Sequence, residues 1–312
     1  MDPAIRWTFL GLCAMGVVVV APRIDDIVAT VSNRLNQETT AHRGLQTRDL
    51  YLDRRFDLQP GGTLTVDVPD GDVSIATSRG GRASVEVFIT ARDREWGRTV
   101  FERMKFEAIR SGNNLRVTAT SPRLDDYDWG DGRGVDVRVE IAVPQRFDLD
   151  IASSDGDISI NDVAGQIDLR TADGDVTLGN ARGPAISIST SDGDVSAESI
   201  ETDELVIQTH DGDVYVAANA RSSRITTGDG DIQLDLMARG EVRLRTGDGD
   251  ITIYGDHSLA ADVELRGDDV QVGSEYSLEG RLDRRGALGQ LNGGGPLLLA
   301  ETGDGTISIR SR

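Results

Sequence analysis

An all-β solenoid, β-helix-like and wound with two strands per coil, is the fold that three features of this sequence of 312 residues predict. The tripeptide Asp-Gly-Asp recurs at a period of 18 or 19 residues, as Asp155-Gly156-Asp157, Asp173-Gly174-Asp175, Asp192-Gly193-Asp194, Asp211-Gly212-Asp213, Asp229-Gly230-Asp231 and Asp248-Gly249-Asp250. Alternating triplets follow it, such as Ile158-Ser159-Ile160, Val176-Thr177-Leu178 and Ile251-Thr252-Ile253. A second alternating run, such as Ile167-Asp168-Leu169 or Val242-Arg243-Leu244, ends in a hydroxyl residue two places before the next tripeptide: Ser153, Thr171, Thr190, Thr209, Thr227, Thr246 and Thr302. Short-period self-similarity is the signature of a chain whose units bury their apolar faces only against neighbouring units. Two strands of about five residues and two turns of about four fill the period.

Taken from the N-terminus, residues 1–24 read as a signal peptide or an uncleaved signal-anchor helix. Arg6 precedes an uncharged, largely apolar run from Trp7 to Ala21, short for a full span of about 20 residues but of the length of a signal-peptide core. A buried helix is the rival reading. Cys13, the one cysteine, lies inside this run, so no intrachain disulfide forms and thiolate zinc sites are excluded. Residues 25–50 are polar, lack an apolar stripe and read as a linker or stalk. Residues 51–150 read as a β-rich cap: strands are expected at Leu64–Val68, Asp72–Ile75, Val85–Ile89, Leu115–Thr120, Val135–Val143 and Phe147–Ile151, with a short helix or irregular insertion from Arg94 to Met104. A cap is required because an uncovered edge strand invites aggregation.

Residues 151–312 are the regular coils, with strands about 4.8 Å apart and a length on the order of 40 Å. Ser159, Thr177, Ser196, Thr252 and Ser308 fall on outward positions and predict one flat hydroxyl face, either solvated or open to a partner. A degenerate unit at Gly267-Asp268-Asp269 keeps the spacing. Asp304-Gly305-Thr306 follows two periods later, past the Gly-rich stretch Gly293-Gly294-Gly295-Pro296.

The stacked aspartates are the candidate site. Carboxylates about 5 Å apart repel by just under about 1 kcal/mol in water and by about 3 kcal/mol at an effective dielectric of 20. Two devices relieve this. In one, Asp bonds nearby backbone N–H groups, Gly takes a positive-φ position, and the remaining side chains fan into solvent. In the other, Asp155, Asp157, Asp173, Asp175, Asp192, Asp194, Asp211, Asp213, Asp229, Asp231, Asp248 and Asp250 form a calcium ladder. EF-hand spacing fails, because positions five and twelve counted from Asp155 are Ser159 and Gln166. Arg170 and Arg245, three residues before their tripeptides, are expected to neutralise part of the row.

Net charge of −20 excludes nucleic acid as a partner and disfavours contact with anionic lipid. The loop Asp125-Asp126-Tyr127-Asp128-Trp129-Gly130-Asp131 sets aromatics among carboxylates, as a solvated tip or a hold for a sugar or basic peptide. His42, His210 and His257 are scattered. A row of equivalent aspartates lacks the unlike pair of carboxylates that acid–base catalysis uses.

The apolar N-terminal segment, the lead-in Val137-Arg138-Val139-Glu140-Ile141-Ala142-Val143-Pro144 and the serial Thr-x-Asp-Gly-Asp-Val/Ile units resemble the bacterial "putative adhesin" family, number 4097 among the domains of unknown function. The resemblance runs from about Leu64 to the C-terminus and departs near Gly267 and Gly293. It implies a non-enzymatic, envelope-associated β-repeat protein and supplies no catalytic residues. The expected function is an adhesin-like interaction or structural module outside the cytoplasmic membrane, its partner an envelope protein or surface glycan. An envelope-stress sensor and a carbohydrate-active β-helix enzyme are the alternatives. Apart from calcium, no cofactor is expected.

Overall fold

The computed structural model describes residues 47–78, 81–121, 134–237 and 240–312. The segment read as signal or anchor, most of the linker, and the loop Asp125–Asp131 lie outside the described residues. Among those described, no helix is long and apolar enough to cross a membrane.

The chain begins with β1 (Thr47–Asp57), β2 (Gly62–Asp67), β3 (Asp72–Ser78), β4 (Arg82–Ala91), the helix α1 (Arg94–Met104), β5 (Glu107–Ser111), β6 (Asn114–Thr118), β7 (Asp136–Pro144) and β8 (Phe147–Ala152). The regular coils follow as β9 (Ile158–Ile160), β10 (Val163–Ala164), β11 (Ile167–Arg170), β12 (Val176–Ser189), β13 (Val195–Gln208), β14 (Val214–Thr226), β15 (Ile232–Leu236), β16 (Glu241–Thr246) and β17 (Ile251–Gly255). The last elements are β18 (Ala261–Arg266), β19 (Asp269–Val272), β20 (Leu278–Asp283), β21 (Gly286–Leu291), β22 (Leu297–Thr302) and β23 (Thr306–Ser311). The single helix of the described residues sits where the sequence placed it. Asp93 caps it, its carboxylate accepting the Trp96 N–H at 2.8 Å.

Period-two alternation sends one side chain of each pair inward, and two parallel stacks of strands close on a shared core. One stack, face A, runs β5–β6–β2–β8–β11–β12–β13–β14–β16–β22–β18–β21–β20. The other, face B, runs β1–β4–β7–β3–β9–β12–β13–β14–β15–β17–β23–β19. The long strands β12, β13 and β14 pass round from one face to the other, pairing in register on both (Val176↔Val195 and Ile186↔Leu205). Between the faces lie Ile158, Leu169, Leu178, Ile188, Ile207, Val216, Leu234, Leu244 and Ile253, all buried. With strands about 4.8 Å apart, stacks of this depth make a rod on the order of 55 Å long.

Both ends depart from a simple sequential winding. At the N-terminal end the first coil, β2 and β3, is not outermost: β2 lies between β6 and β8, and β3 between β7 and β9. The excursion from β4 to β7 folds back over it. At the C-terminal end β22 is inserted between β16 and β18, and β23 between β17 and β19. The Asp304 unit therefore stacks directly on the Asp248 unit and the Gly267 unit lies outside it, contrary to sequence order. Each terminal coil of the sequence is thereby paired on both sides; the open edges belong to the antiparallel strands β1, β5 and β20 and, on face B at the C-terminal end, to β19, which pairs in parallel with β23. Tyr276 pins the C-terminal cap, its hydroxyl reaching the carbonyl oxygens of Gly255 and Arg310 at 3.2 and 3.1 Å.

β1 was not legible in the sequence and starts inside the stretch read as linker. It pairs antiparallel with β4, with a register irregularity between Leu50 and Leu52. That irregularity breaks the alternation on which strand recognition rests.

Candidate functional site

At one edge of the rod the Thr-x-Asp-Gly-Asp segments stack in register. Each buried Thr Oγ1 is shared between two coils. Thr209 Oγ1 accepts the Gly212 N–H of its own coil at 3.2 Å and lies 3.1 Å from Ser191 O and 3.3 Å from Gly193 O of the preceding one. Thr171, Thr190, Thr227 and Thr246 repeat the pattern, and Ser153 accepts from Gly156 N–H at 3.2 Å. Thr302 Oγ1 donates to Gly249 O at 2.8 Å, extending the row to the inserted coil.

The glycines are needed for a reason other than the positive φ expected. Of the tripeptide glycines from Gly71 to Gly249, Gly71 alone has a φ in the left-handed range, at 142°. A Cβ on Gly193 or Gly212 would stand 1.9 Å from the carbonyl oxygen of the glycine one coil below, and one on Gly174 at 2.1 Å. Backbone stacks on backbone, and no side chain fits between.

The aspartates divide into two rows. Asp155, Asp173, Asp192, Asp211, Asp229 and Asp248, first in their tripeptides, are exposed. The second aspartates form a chain of hydrogen bonds between coils rather than capping their own turns. Asp157 Oδ1 accepts the Asp175 N–H at 2.8 Å, Asp175 Oδ1 the Asp194 N–H at 2.8 Å, Asp194 Oδ1 the Asp213 N–H at 2.8 Å, and Asp213 Oδ1 the Asp231 N–H at 2.7 Å. Asp231 serves Asp250, and Asp250 serves Thr306, each at 2.7 Å. At the other end Asp72 accepts from Asp157 N–H at 3.2 Å.

Desolvation of these stacked carboxylates, with the charges of Asp72 and Asp175 adding to it, pushes Asp157 up to about 6, against the pull of the Asp175 N–H. Burial and the flanking aspartates also raise Asp194 and Asp231. These are every second rung of the row. Tyr215 donates to Asp213 Oδ2 at 2.9 Å, and burial raises its phenol.

One oxygen of each second aspartate is thus engaged by a backbone donor, and among the described residues no group of three or more His, Cys, Asp or Glu side chains converges as metal ligands would. Arg170 does not neutralise the row. It pairs with Asp150 at 3.2 Å and with Asp168 on face A. Arg245 also stands on face A, in register with Thr226 of β14 and Glu301 of β22. His210 pairs with exposed Asp211, whose carboxylate raises the imidazole pKa.

The hydroxyls expected to face outward fall in one register, but Ser196 and Ser308 are buried and Ser159, Thr177 and Thr252 only half-buried. On face B the register Ser74↔Ser159↔Thr177↔Ser196↔Tyr215↔Gln233↔Thr252↔Ser308 forms one stripe beside the carboxylate row. Tyr215 and Gln233 interrupt its small side chains. Sequence reasoning missed the aromatic cluster at the N-terminal end, where Tyr51, Phe101 and Phe106 stack with centroids 5.5 and 5.7 Å apart. Its signal was available in the sequence: Trp96 and Phe101 fall in the expected helix.

The model of the family described as Toastrack DUF4097 matches residues 63–310. No curated protein matches the chain. Among solved structures, a putative adhesin from Bacteroides fragilis is similar at 14% identity and a TM-score of 0.49, over 84% of this chain and 97% of its own. A putative adhesin from Parabacteroides merdae is similar at 12% and 0.42, over 86% and 97%. A putative cell adhesion protein from Clostridium sporogenes is similar at 11% and 0.25, over 86% and 100%.

Proposed function

Since this chain belongs to the Toastrack DUF4097 family across residues 63–310, we propose that it is a non-enzymatic, adhesin-like contact module of the cell envelope, displayed outside the cytoplasmic membrane. One observation carries the reading: the register is held by an internal lattice of Thr, Gly and Asp, and face B sets one polar side chain per rung in a flat stripe, half-buried at Ser74, Ser159, Thr177, Tyr215 and Thr252 and buried at Ser196, Gln233 and Ser308. Pairing in register from Ser74 to Ser308 supports a surface that recognises extended partners, either a surface glycan or an envelope protein. The run Trp7–Ala21 behind Arg6 supports export and membrane attachment. On this reading the aspartates are structural, and calcium is not required.

Cosedimentation of the full chain with purified cell-wall polysaccharide and with envelope membranes tests the proposal, using the outer-face variant Thr177→Arg/Thr252→Arg as comparison. Binding to either material that the variant loses, with an unchanged melting temperature, is the expected result. Equal binding by both chains, or none, removes face B as the contact surface. Protease accessibility in intact cells tests the location independently.

A further inference from the structure

The charge of −20 is not spread along the rod. Residues 147–312 carry 13 arginines and no lysine against 32 Asp and Glu, whereas residues 47–121 carry 12 Arg and Lys against 11 Asp and Glu. The imbalance sharpens in residues 92–116, where seven basic residues face four acidic ones. The fold gathers this segment at one end. There α1 packs against β4 and β1, while β5 is the terminal strand of face A and β1 that of face B.

Arg92, Arg98, Lys105, Arg110 and Arg116 are exposed. None of the five is ion-paired among the described residues, whereas neighbouring Arg94 is held by Asp49 at 2.6 Å. Apolar side chains stand beside them: Leu50 is 51% and Ile109 53% exposed. A surface hollow of about 600 Å³ opens between β1 and α1, bordered by Leu50, Tyr51, Arg98, Phe101, Glu102 and the Asp49–Arg94 ion pair. Basic heads set around exposed aliphatic and half-buried aromatic groups fit the boundary between lipid headgroups and acyl chains.

The chain enters the described structure at this same end. β1 starts at Thr47, and residues 22–46 lead to it from the apolar run Trp7–Ala21. Those 25 residues reach at most about 85 Å when fully extended, so a tether alone would leave the rod free to lie down or drift away. We propose that the N-terminal cap docks on an anionic phospholipid surface and that the acidic coils, repelled by the same surface, hold the rod upright with its C-terminal end outermost. Screening supports a local contact, since only charges within about 8–10 Å of the headgroups feel them at physiological salt. The inference rests on the envelope reading above for its orientation, though not for the contact itself.

Flotation of the full chain with vesicles of pure phosphatidylcholine, and with vesicles containing phosphatidylglycerol, separates the two. Hydrogen exchange on the bound chain supplies the second readout. Expected are binding to both compositions through the apolar segment, and slower exchange in Arg94–Met104 and Glu107–Ser111 on phosphatidylglycerol alone. That protection should disappear at about 0.5 M salt, where screening is tight. Each basic side chain near an anionic surface contributes roughly fivefold, so Arg98→Glu/Lys105→Glu/Arg116→Glu should weaken the cap contact at least about a hundredfold at unchanged melting temperature. If that variant does not fold, the salt titration of the unaltered chain decides.

Equal exchange on the two compositions overturns the docking while anchoring stands. Salt-sensitive binding to phosphatidylglycerol without any binding to phosphatidylcholine upholds the docking and removes the anchor. Binding to neither overturns both.

Discussion

Thr209 illustrates how one buried hydroxyl joins two coils, and what its loss should do. Replacing it by valine keeps the shape and leaves the Gly212 N–H and the Gly193 carbonyl without that partner. A stability loss of roughly 1–3 kcal/mol is expected in chemical denaturation. Gly212→Ala should cost at least about 3 kcal/mol, because its Cβ would meet Gly193 O at 1.9 Å and the colliding atom is backbone. A loss below about 0.5 kcal/mol would show that the coils separate easily and that the stacking is not tight. The aspartates make a third prediction at this scale. Each inner Oδ1 already accepts an N–H, so calcium added in calorimetry and thermal melting should give neither saturable heat nor a raised melting temperature. A saturable rise would restore the metal ladder.

Within the aspartate row, one group's titration becomes a property of the whole edge. Asp157 holds its proton up to about pH 6 in the folded rod, whereas an unfolded aspartate releases it near 3.9. The native state therefore binds more protons between those values, and this site makes the protein more stable as pH falls from about 7 to about 4. Asp157 is partly exposed, and after solvent screening the effect is on the order of 1 kcal/mol. Comparing denaturation midpoints at pH 7.5 and 5.0 in the wild type and in Asp157→Asn isolates it: the variant should lose part of the gain on acidification. Identical pH responses would mean that the carboxylate is fully hydrated. The inserted strands predict a different failure. Removing residues 297–312 strips β22 and β23 from between β16 and β18 and between β17 and β19, taking a parallel partner from all four strands. Size-exclusion chromatography should show aggregates or swapped oligomers instead of monomer, and a stable monomer would show that the C-terminal cap can close on the coils without them.

For the rod as a whole, inward and outward positions of the same strand stack differ sharply in tolerance. Ile232 is 1% exposed in the middle of the core, and Ile232→Asp should cost roughly 4 kcal/mol or more by placing an unpaired charge there. Ser159→Ala on face B should stay within about 0.5 kcal/mol of wild type. Equal melting temperatures for the two would contradict the two-faced solenoid. Charge also acts at this scale: a rod that is strongly acidic along its coils and nearly balanced at its N-terminal cap resists lateral clustering while leaving that cap able to approach an anionic surface. A single net charge for the chain conceals this difference between coils and cap.

The sequence by itself determined that the chain is an all-β rod, where its coils repeat and which side chains face in, because these follow from local alternation and spacing; at Arg94–Met104 it left open a short helix and an irregular insertion, of which the structure forms the helix. It also marked the Thr, Gly and Asp positions as special. It misjudged why. Gly193 and Gly212 are required by the glycine of the coil below, Asp157 and Asp175 bond the coil above, and Arg170 pairs across face A, all of them contacts between residues remote in sequence that no local pattern encodes. Order along the rod was likewise settled by tertiary structure. The Asp304 unit displaces the Gly267 unit from its sequential place because inserting the terminal strands pairs both of their edges, a gain in backbone hydrogen bonding that depends on where the chain has already gone rather than on the residues alone.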